Sequence, residues 1–327
     1  MDEKVFPTAP DDTAGSADTA GSAGSGSAEL FEAHRPHLRA VAYRMLGSIS
    51  EAEDAVQDTW LRYDRTDTTD VENLGGWLTT VVSRLCLNQL RARAQRREES
   101  FESRAEAGGG AVEVSRIPDP LLRRADVVDP EQEVLLADSV GLALMVVLES
   151  LSPAERVAFV LHDMFAVPFE EIAPLIEKTA PATRQLASRA RRKVQGQAPA
   201  PDRDLARQRV AVDAFFAATR EGDLDALLAV LDPDVVLRAD GPTLRDRRPV
   251  VLSGAGTVAG QAVMFRSLAP YARPALINGA AGVVVIGANG RTMSVMAFTV
   301  VGGAIVAIDV LTDPDRLAAL DVSAFLD

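Results

Sequence analysis

The apolar positions of this chain follow two periods, helical in the first two thirds and strand-like in the last third. Leu38, Val41, Ala42 and Met45 fall at i, i+3, i+4 and i+7, one stripe of an amphipathic helix. Ala52, Ala55, Val56, Thr59 and Trp60 form a second stripe, and Ser50-Glu51-Ala52-Glu53 at its start has the form of a capping box. A third helix starts near Leu74, turns Leu78, Val81, Val82 and Leu85 inward and continues into an arginine run. Ser152-Pro153-Ala154-Glu155 opens a further helix, with Pro at its first position and Glu at its third. Leu205–Arg220 predicts a helix burying Val212, Phe215 and Phe216, followed by a shorter one over Asp223–Leu231. Val283–Ile286, Met293–Val301 and Ile305–Leu311 then read as strands, separated by the tight-turn dipeptides Asn289-Gly290 and Gly302-Gly303. The expected fold class is multidomain: two all-α helical domains, the second with a helix-turn-helix, followed by an α+β domain.

Between these blocks lie segments that cannot bury much. Residues 1–28 are rich in Ala, Gly, Ser, Thr and Asp, and are expected to form a disordered acidic tail. Residues 29–100 form the first helical domain, 101–137 a linker, and 138–196 the second helical domain. Residues 197–204 are a second linker, ahead of the α+β domain at 205–327.

Charge changes the picture because it is segregated. The chain of 327 residues has a net charge of −13, which by itself disfavours nucleic acid. Yet Arg84, Arg91, Arg93, Arg96 and Arg97 run without an intervening acid, and so do Lys178, Arg184, Arg189, Arg191, Arg192 and Lys193. Local patches decide contact with phosphates. The single cysteine, Cys86, excludes an intrachain disulfide and a Cys-based zinc site, and suits a reducing cytosol. Apolar runs such as Val140–Leu148 are too short to span a membrane, and no signal peptide is visible.

Residues 168–194 carry the strongest motif, a short helix, a tight turn and a basic second helix. Ile172, Leu175 and Ile176 can pack against Leu186, Ala190 and Val194, while Thr179 can cap the second helix. The turn at Glu177-Lys178 has no glycine. Ala182, Thr183, Arg184, Gln185, Ser188, Arg189 and Arg192 are the candidate contacts of this helix with a DNA major groove. A second candidate surface runs along the third helix: Trp77, Arg84, Asn88, Arg91, Arg93, Arg96 and Arg97 combine an aromatic, an amide and cations, a composition suited to unpaired bases and their backbone. The acidic face Glu53, Asp54, Gln57 and Asp58 reads on spacing alone as solvated. His34 and His37 have no further His or Cys nearby, so no metal is expected, and the last domain contains neither residue type.

These pieces in this order resemble a sigma factor of the extracytoplasmic-function class. The likeness rests on Arg44-Met45-Leu46-Gly47-Ser48, residues 51–61, Gly76-Trp77-Leu78-Thr79-Thr80-Val81-Val82, Leu151-Ser152-Pro153-Ala154-Glu155-Arg156 and the helix-turn-helix. More closely, the chain is similar to the subgroup that ends in a SnoaL-like domain of the NTF2-like superfamily. The resemblance implies that Glu53, Asp54, Gln57 and Asp58 bind the RNA polymerase core. It implies that the first domain opens and reads the minus-ten element, with Asn88 near an extruded base, and that the second reads the minus-thirty-five element. It further implies regulatory motifs: Pro118, Asp119 and Pro120 in the linker, Asp240 and Gly241, and Asp313, Pro314, Asp315, Arg316 and Leu317. The middle motif departs from the subgroup's Asp-Gly-Gly-Gly-Lys, because Asp240-Gly241-Pro242-Thr243-Leu244-Arg245 has lost two of its glycines.

The expectation is therefore a cytoplasmic transcription initiation factor with RNA polymerase core and promoter DNA as partners, no catalytic residues and no cofactor. Its last domain would regulate the sigma domains by intramolecular contact. Two alternatives place a small-molecule sensor, or a cyclase- or isomerase-type enzyme, in the cavity of the last domain. A further rival is a helix-turn-helix repressor that binds duplex DNA without polymerase.

Overall fold

The computed structural model describes residues 19–106, 116–124, 141–197, 201–240 and 250–326. The first lobe is a bundle of α1 (Thr19–Leu46), α2 (Ile49–Tyr63) and α3 (Leu74–Glu106). Phe31, Leu38, Met45, Val56, Leu78 and Val82 are fully buried in it, as the periodicity required. Cys86 sits among them, and burial pushes its thiol pKa up to about 12.

Two expectations for this lobe need correction. α1 begins at Thr19, inside the stretch expected to be an unstructured tail, while residues 1–18 lie outside the described residues. A helix anchored further on by Phe31 and Leu38 extends at one hydrogen bond per added residue; Ala20, Ala23 and Ala28 favour that extension, whereas Gly21, Gly24 and Gly26 oppose it. α2 does not start with a capping box at Ser50. Its N-cap is Ser48, which makes no side-chain cap bond, and Ser50 lies within the helix. The Ile49 N–H donates instead to Asp119 Oδ2, at 2.9 Å, from the linker. A distant carboxylate has taken the place of the local cap.

The second lobe comprises α4 (Leu142–Glu149), α5 (Pro153–Phe159), a π-helical turn at Val160–Met164, α6 (Phe169–Leu175) and α7 (Ala180–Gln197). Ser152 and Glu155 form the reciprocal capping box that opens α5. α6 stops because Glu177 adopts a left-handed φ of 57°, and the Lys178 N–H closes on the Ala173 carbonyl at 3.0 Å. This is a Schellman-type end made without glycine. Thr179 Oγ1 accepts from the Ala182 N–H at 3.3 Å and caps α7 as expected.

The last part is the expected α+β cone. α8 (Leu205–Glu221), α9 (Leu224–Val230) and α10 (Ala255–Met264) pack on a mixed sheet of β2 (Leu231–Ala239), β3 (Val250–Ser253), β4 (Ala272–Ile277), β5 (Ala280–Ile286), β6 (Thr292–Val301) and β7 (Ala304–Leu311). The chain closes with α11 (Pro314–Ala318) and a 3₁₀ turn at Ser323–Phe325. The order β4-β5-β6-β7-β2-β3 is antiparallel except for β2 beside β7, which run parallel. Inside the cone Phe215, Phe216 and Phe298 pack edge to face, with centroids 5.5–5.9 Å apart. The opposite sheet face, with Ile277, Val284, Ala297 and Leu311, joins the core of the helical lobes.

The linker expected over 101–137 is partly structured. α3 runs to Glu106, and Leu122–Arg124 form β1, an edge strand antiparallel to β4 that pairs Leu122 with Ile277 and Arg124 with Ala275. The edge of β4 offers backbone donors and acceptors, and the linker satisfies them. The second linker is also engaged: Asp202 accepts from the N–H groups of Gly302 and Gly303, both at 3.0 Å, and Asp204 caps α8.

Candidate nucleic-acid and polymerase surfaces, and the junction between them

α7 divides its cations between two jobs. Arg184, Gln185, Ser188, Arg189 and Arg192 recur at spacings of three and four and stand exposed on one face. Arg184, though exposed, has its guanidinium over the Phe169 ring of α6 at 5.3 Å, a cation–π contact. Arg191 is tied to Asp163 at 2.5 Å, and Lys193 Nζ donates to the Ser150 carbonyl at 2.5 Å. Ala182 is half-buried. Thr183 is not available to DNA: it is fully buried, and its hydroxyl donates to the Thr179 carbonyl at 3.0 Å. Its place in the candidate set is corrected on that ground.

The face of α3 is similarly sorted. Arg84 and Asn88, one turn apart, are exposed, and Arg96 is exposed with its Nε donating to the Ala92 carbonyl at 3.3 Å. Arg91 is exposed but paired with Glu177 of the helix-turn-helix turn at 3.1 Å. Arg93 turns inward, donating to the Leu46 carbonyl at 2.8 Å and pairing with Glu51, so it serves the bundle rather than a ligand. The Arg97 side chain lies outside those described. Trp77 is half-buried beside Tyr63 and borders a surface pocket of about 400 Å³, lined also by Asp58, Arg62, Arg65, Thr66 and Val81. Arg62 and Arg65, at and just beyond the end of α2, line this pocket and were not among the candidates the sequence singled out. On α2, Asp54, Gln57 and Asp58 are exposed, whereas Glu53 is half-buried and pairs with Arg39 at 2.6 Å.

The expected regulatory motifs converge on one guanidinium. Arg316 donates to Asp119 Oδ1 from Nε at 3.0 Å and from Nη2 at 2.5 Å, and Nη2 also reaches the Ile117 carbonyl at 2.6 Å. Its Nη1 pairs with Asp240. Asp313 caps α11 through the N–H groups of Asp315 and Arg316. Pro118 and Pro120 are buried, as is Leu317, while Pro314 and Asp315 are exposed and Gly241 lies outside the described residues.

A second set of bonds ties the same junction to α1. The Tyr43 hydroxyl donates to the Asp119 carbonyl at 2.6 Å and accepts from Asn278 Nδ2 at 3.0 Å. The Leu121 N–H donates to Asn278 Oδ1 at 3.0 Å. Burial raises the Tyr43 pKa. Burial also opposes the charge of Asp119, but the hydrogen bonds and charge of Arg316 outweigh it and hold that carboxyl below its ordinary value. Asp240 goes the other way: burial raises its pKa, and Arg316 only partly compensates. Among the described residues no group of three or more His, Cys, Asp or Glu is arranged for a metal, and no helix is long and apolar enough to cross a membrane.

Comparison with known proteins agrees with this layout. Residues 30–97 match the Sigma-70 region 2 model and residues 141–194 the Sigma-70, region 4 model. The chain is 40% identical over 303 residues to the ECF RNA polymerase sigma factor SigJ of Mycobacterium tuberculosis, covering 88% of this chain and 91% of that one. It is 38% identical over 295 residues to the probable ECF RNA polymerase sigma factor SigI of the same species, covering 89% and 94%. The crystal structure of the M. tuberculosis extracytoplasmic function sigma factor SigJ superposes with a TM-score of 0.70 at 34% identity, over 90% of this chain and 99% of that one.

Proposed function

The chain belongs to the ECF RNA polymerase sigma factors, and we propose that its first lobe docks the polymerase core while both lobes read promoter DNA. The observation that carries this reading is the pairing of two exposed cationic faces, on α3 and α7, with an uncovered acidic face on α2. Asp54, Gln57 and Asp58 bind core, with Glu53 buttressed by Arg39. Arg84, Asn88, Arg91 and Arg96 follow the opened minus-ten strand, and the Trp77 pocket with Arg62 and Arg65 receives an unstacked base and its phosphate. Arg184 and Gln185 read base edges of the minus-thirty-five element, with Ser188, Arg189 and Arg192 gripping its backbone. The working units are the first sigma domain at 29–100, the second at 138–196 and the C-terminal domain at 205–327. The site of action is the cytoplasm, where polymerase works.

The C-terminal domain acts as a regulator, not a catalyst. Its interior holds the Phe215, Phe216 and Phe298 cluster and no histidine, and its outer face clasps the linker through Arg316. Mobility shifts with and without core enzyme test the reading. Retention of promoter DNA only with core, lost when Arg184 and Arg189 are replaced by alanine, is the expected result; equal binding without core would make the chain a duplex-binding repressor.

The small-molecule reading moves to a new place. An apolar pocket of about 260 Å³ lies between α4, the end of α7 and the sheet, lined by Leu142, Leu144, Val194, Ile277, Ala297 and Thr299. A small apolar ligand there would bridge the second lobe and the cone. Thermal shifts with small aromatic compounds, abolished by Ala297→Phe, would support it.

A further inference from the structure

The start of α2 carries a capping sequence that it does not use. Ser48 is the N-cap, and its φ of −129° and ψ of 130° are the extended conformation that an N-cap adopts. Its carbonyl takes the Ala52 N–H at 3.1 Å. Glu51 stands three residues on, so Ser48-Ile49-Ser50-Glu51 has the spacing of a reciprocal capping box. The same spacing at Ser152-Pro153-Ala154-Glu155 does form the box. There the Glu155 N–H donates to Ser152 Oγ at 3.4 Å, and the Ser152 N–H to Glu155 Oε2 at 3.2 Å.

At α2 both side chains are held elsewhere. Ser48 Oγ lies 3.2 Å from Ser50 Oγ and accepts from no amide of the helix. Glu51 pairs with Arg93 of α3. The cap comes from the linker, where Asp119 Oδ2 takes the Ile49 N–H at 2.9 Å. A carboxylate placed against the positive end of α2 repels a second one turning onto it, which leaves Glu51 to Arg93.

Asp119 does not belong to α2 or to its lobe. Its carboxylate is oriented by Arg316 of the C-terminal domain, through bonds of 3.0 and 2.5 Å. When that domain lets the linker go, the Ile49 N–H loses its acceptor. The backbone at Ser48 needs no rearrangement to supply a replacement cap. Rotation of the Ser48 hydroxyl onto the Glu51 N–H, and of the Glu51 carboxylate onto the Ser48 N–H, completes the box. Arg93 retains the Leu46 carbonyl at 2.8 Å. The consequence falls on the exposed residues Asp54, Gln57 and Asp58, which start six positions after the cap. An uncapped first turn frays, because its amides have no partner within the helix.

We propose that Ser48 and Glu51 are positioning residues for polymerase docking: they take over as the cap of α2 when Asp119 leaves, and keep its acidic face in shape while the linker moves. The inference rests on the reading of α2 as the core-docking helix given above.

Amide hydrogen exchange on the full chain, without polymerase, reads the cap directly. In the parent the Ile49 N–H should be protected and the Glu51 N–H should exchange faster. Asp119→Ala should reverse them, Ile49 losing and Glu51 gaining about tenfold in protection. Glu51→Gln in the Asp119→Ala chain should keep the gain at position 51, since Gln completes a capping box but forms no ion pair with Arg93. Ser48→Ala in that chain should abolish the gain. Affinity for core enzyme should follow the cap. Asp119→Ala and Ser48→Ala should each stay within about twofold of the parent, and the double variant should fall about tenfold. Protection of Phe298 and Val300 in β6 reports an intact fold. No gain at Glu51 in Asp119→Ala, or losses of core affinity that merely add, overturns the proposal. Failure of the parent to bind core overturns the sigma-factor reading and with it the docking role, whereas exchange still decides the cap.

Discussion

Arg316 holds Asp119 through two donors, at 3.0 and 2.5 Å, although the residues are 197 positions apart. The same Asp119 carboxylate caps α2 through the Ile49 N–H at 2.9 Å. One acidic side chain in the linker thus joins the C-terminal domain to the start of α2, the helix that carries Asp54, Gln57 and Asp58. Charge-assisted hydrogen bonds are worth about 1.5–3 kcal/mol each before solvent screening. Arg316→Ala should therefore lower the urea midpoint of the full chain by an amount equivalent to about 2–3 kcal/mol. Arg316→Lys should recover only part of it, because a point charge cannot serve two carboxylates and the Ile117 carbonyl together.

The two acids of the junction respond to pH with opposite sign. The Asp119 pKa is lowered in the folded chain, so its contribution is present above the ordinary carboxylate value and is lost as pH falls through the lower folded value. The Asp240 pKa is raised, so its contribution is present below the ordinary value and is lost as pH rises through the higher folded one. At neutral pH Asp119→Asn should destabilise the chain, while Asp240→Asn should cost much less or stabilise it. Thermal melting at pH 7 and at pH 4 checks this; equal losses from both substitutions at pH 7 would contradict it.

Asn278 offers a cleaner separation of backbone from side chain. It adopts a left-handed φ of 48°, donates to Tyr43 and accepts from Leu121. Asn278→Gly keeps the backbone conformation and removes only the two side-chain bonds, whereas Asn278→Ala adds strain. Both should loosen β1 from β4, with alanine worse by about 1 kcal/mol. Hydrogen exchange at Arg123 and Arg124 provides the measurement.

The cations of α7 should separate by salt dependence. Arg192→Ala removes an exposed cation of the proposed DNA-facing surface and should lower the slope of log K against log salt by about 1 for promoter DNA bound together with core enzyme. Arg191→Ala, whose guanidinium is held by Asp163, should lower it less and cost σ-domain stability instead. Thr183→Val should leave the slope unchanged, because the hydroxyl is spent on the Thr179 carbonyl.

The helix-turn-helix, the first bundle and three of the strands were legible because each announces itself locally. Periods of 3.6 and 2 select the buried face, and Ser152 with Glu155, or Asn289 with Gly290, mark ends by chemistry within a few residues. The same local logic misled where a distant group supplied the bond. Asp119 rather than Ser50 caps α2, Arg93 turns inward to Leu46 and Glu51, and Thr183 is buried with its hydroxyl on the Thr179 carbonyl.

From its residues alone the chain declares two basic helical modules, an acidic helix face and an α+β appendage, because composition and period are properties of neighbours along the chain. The three-dimensional arrangement alone decided which arginines face outward, that the linker becomes a strand of the last domain's sheet, and that the helical lobes rest on each other at Gly47. Those outcomes depend on which donors and acceptors are left unsatisfied once the elements pack, and their partners lie tens to hundreds of residues away.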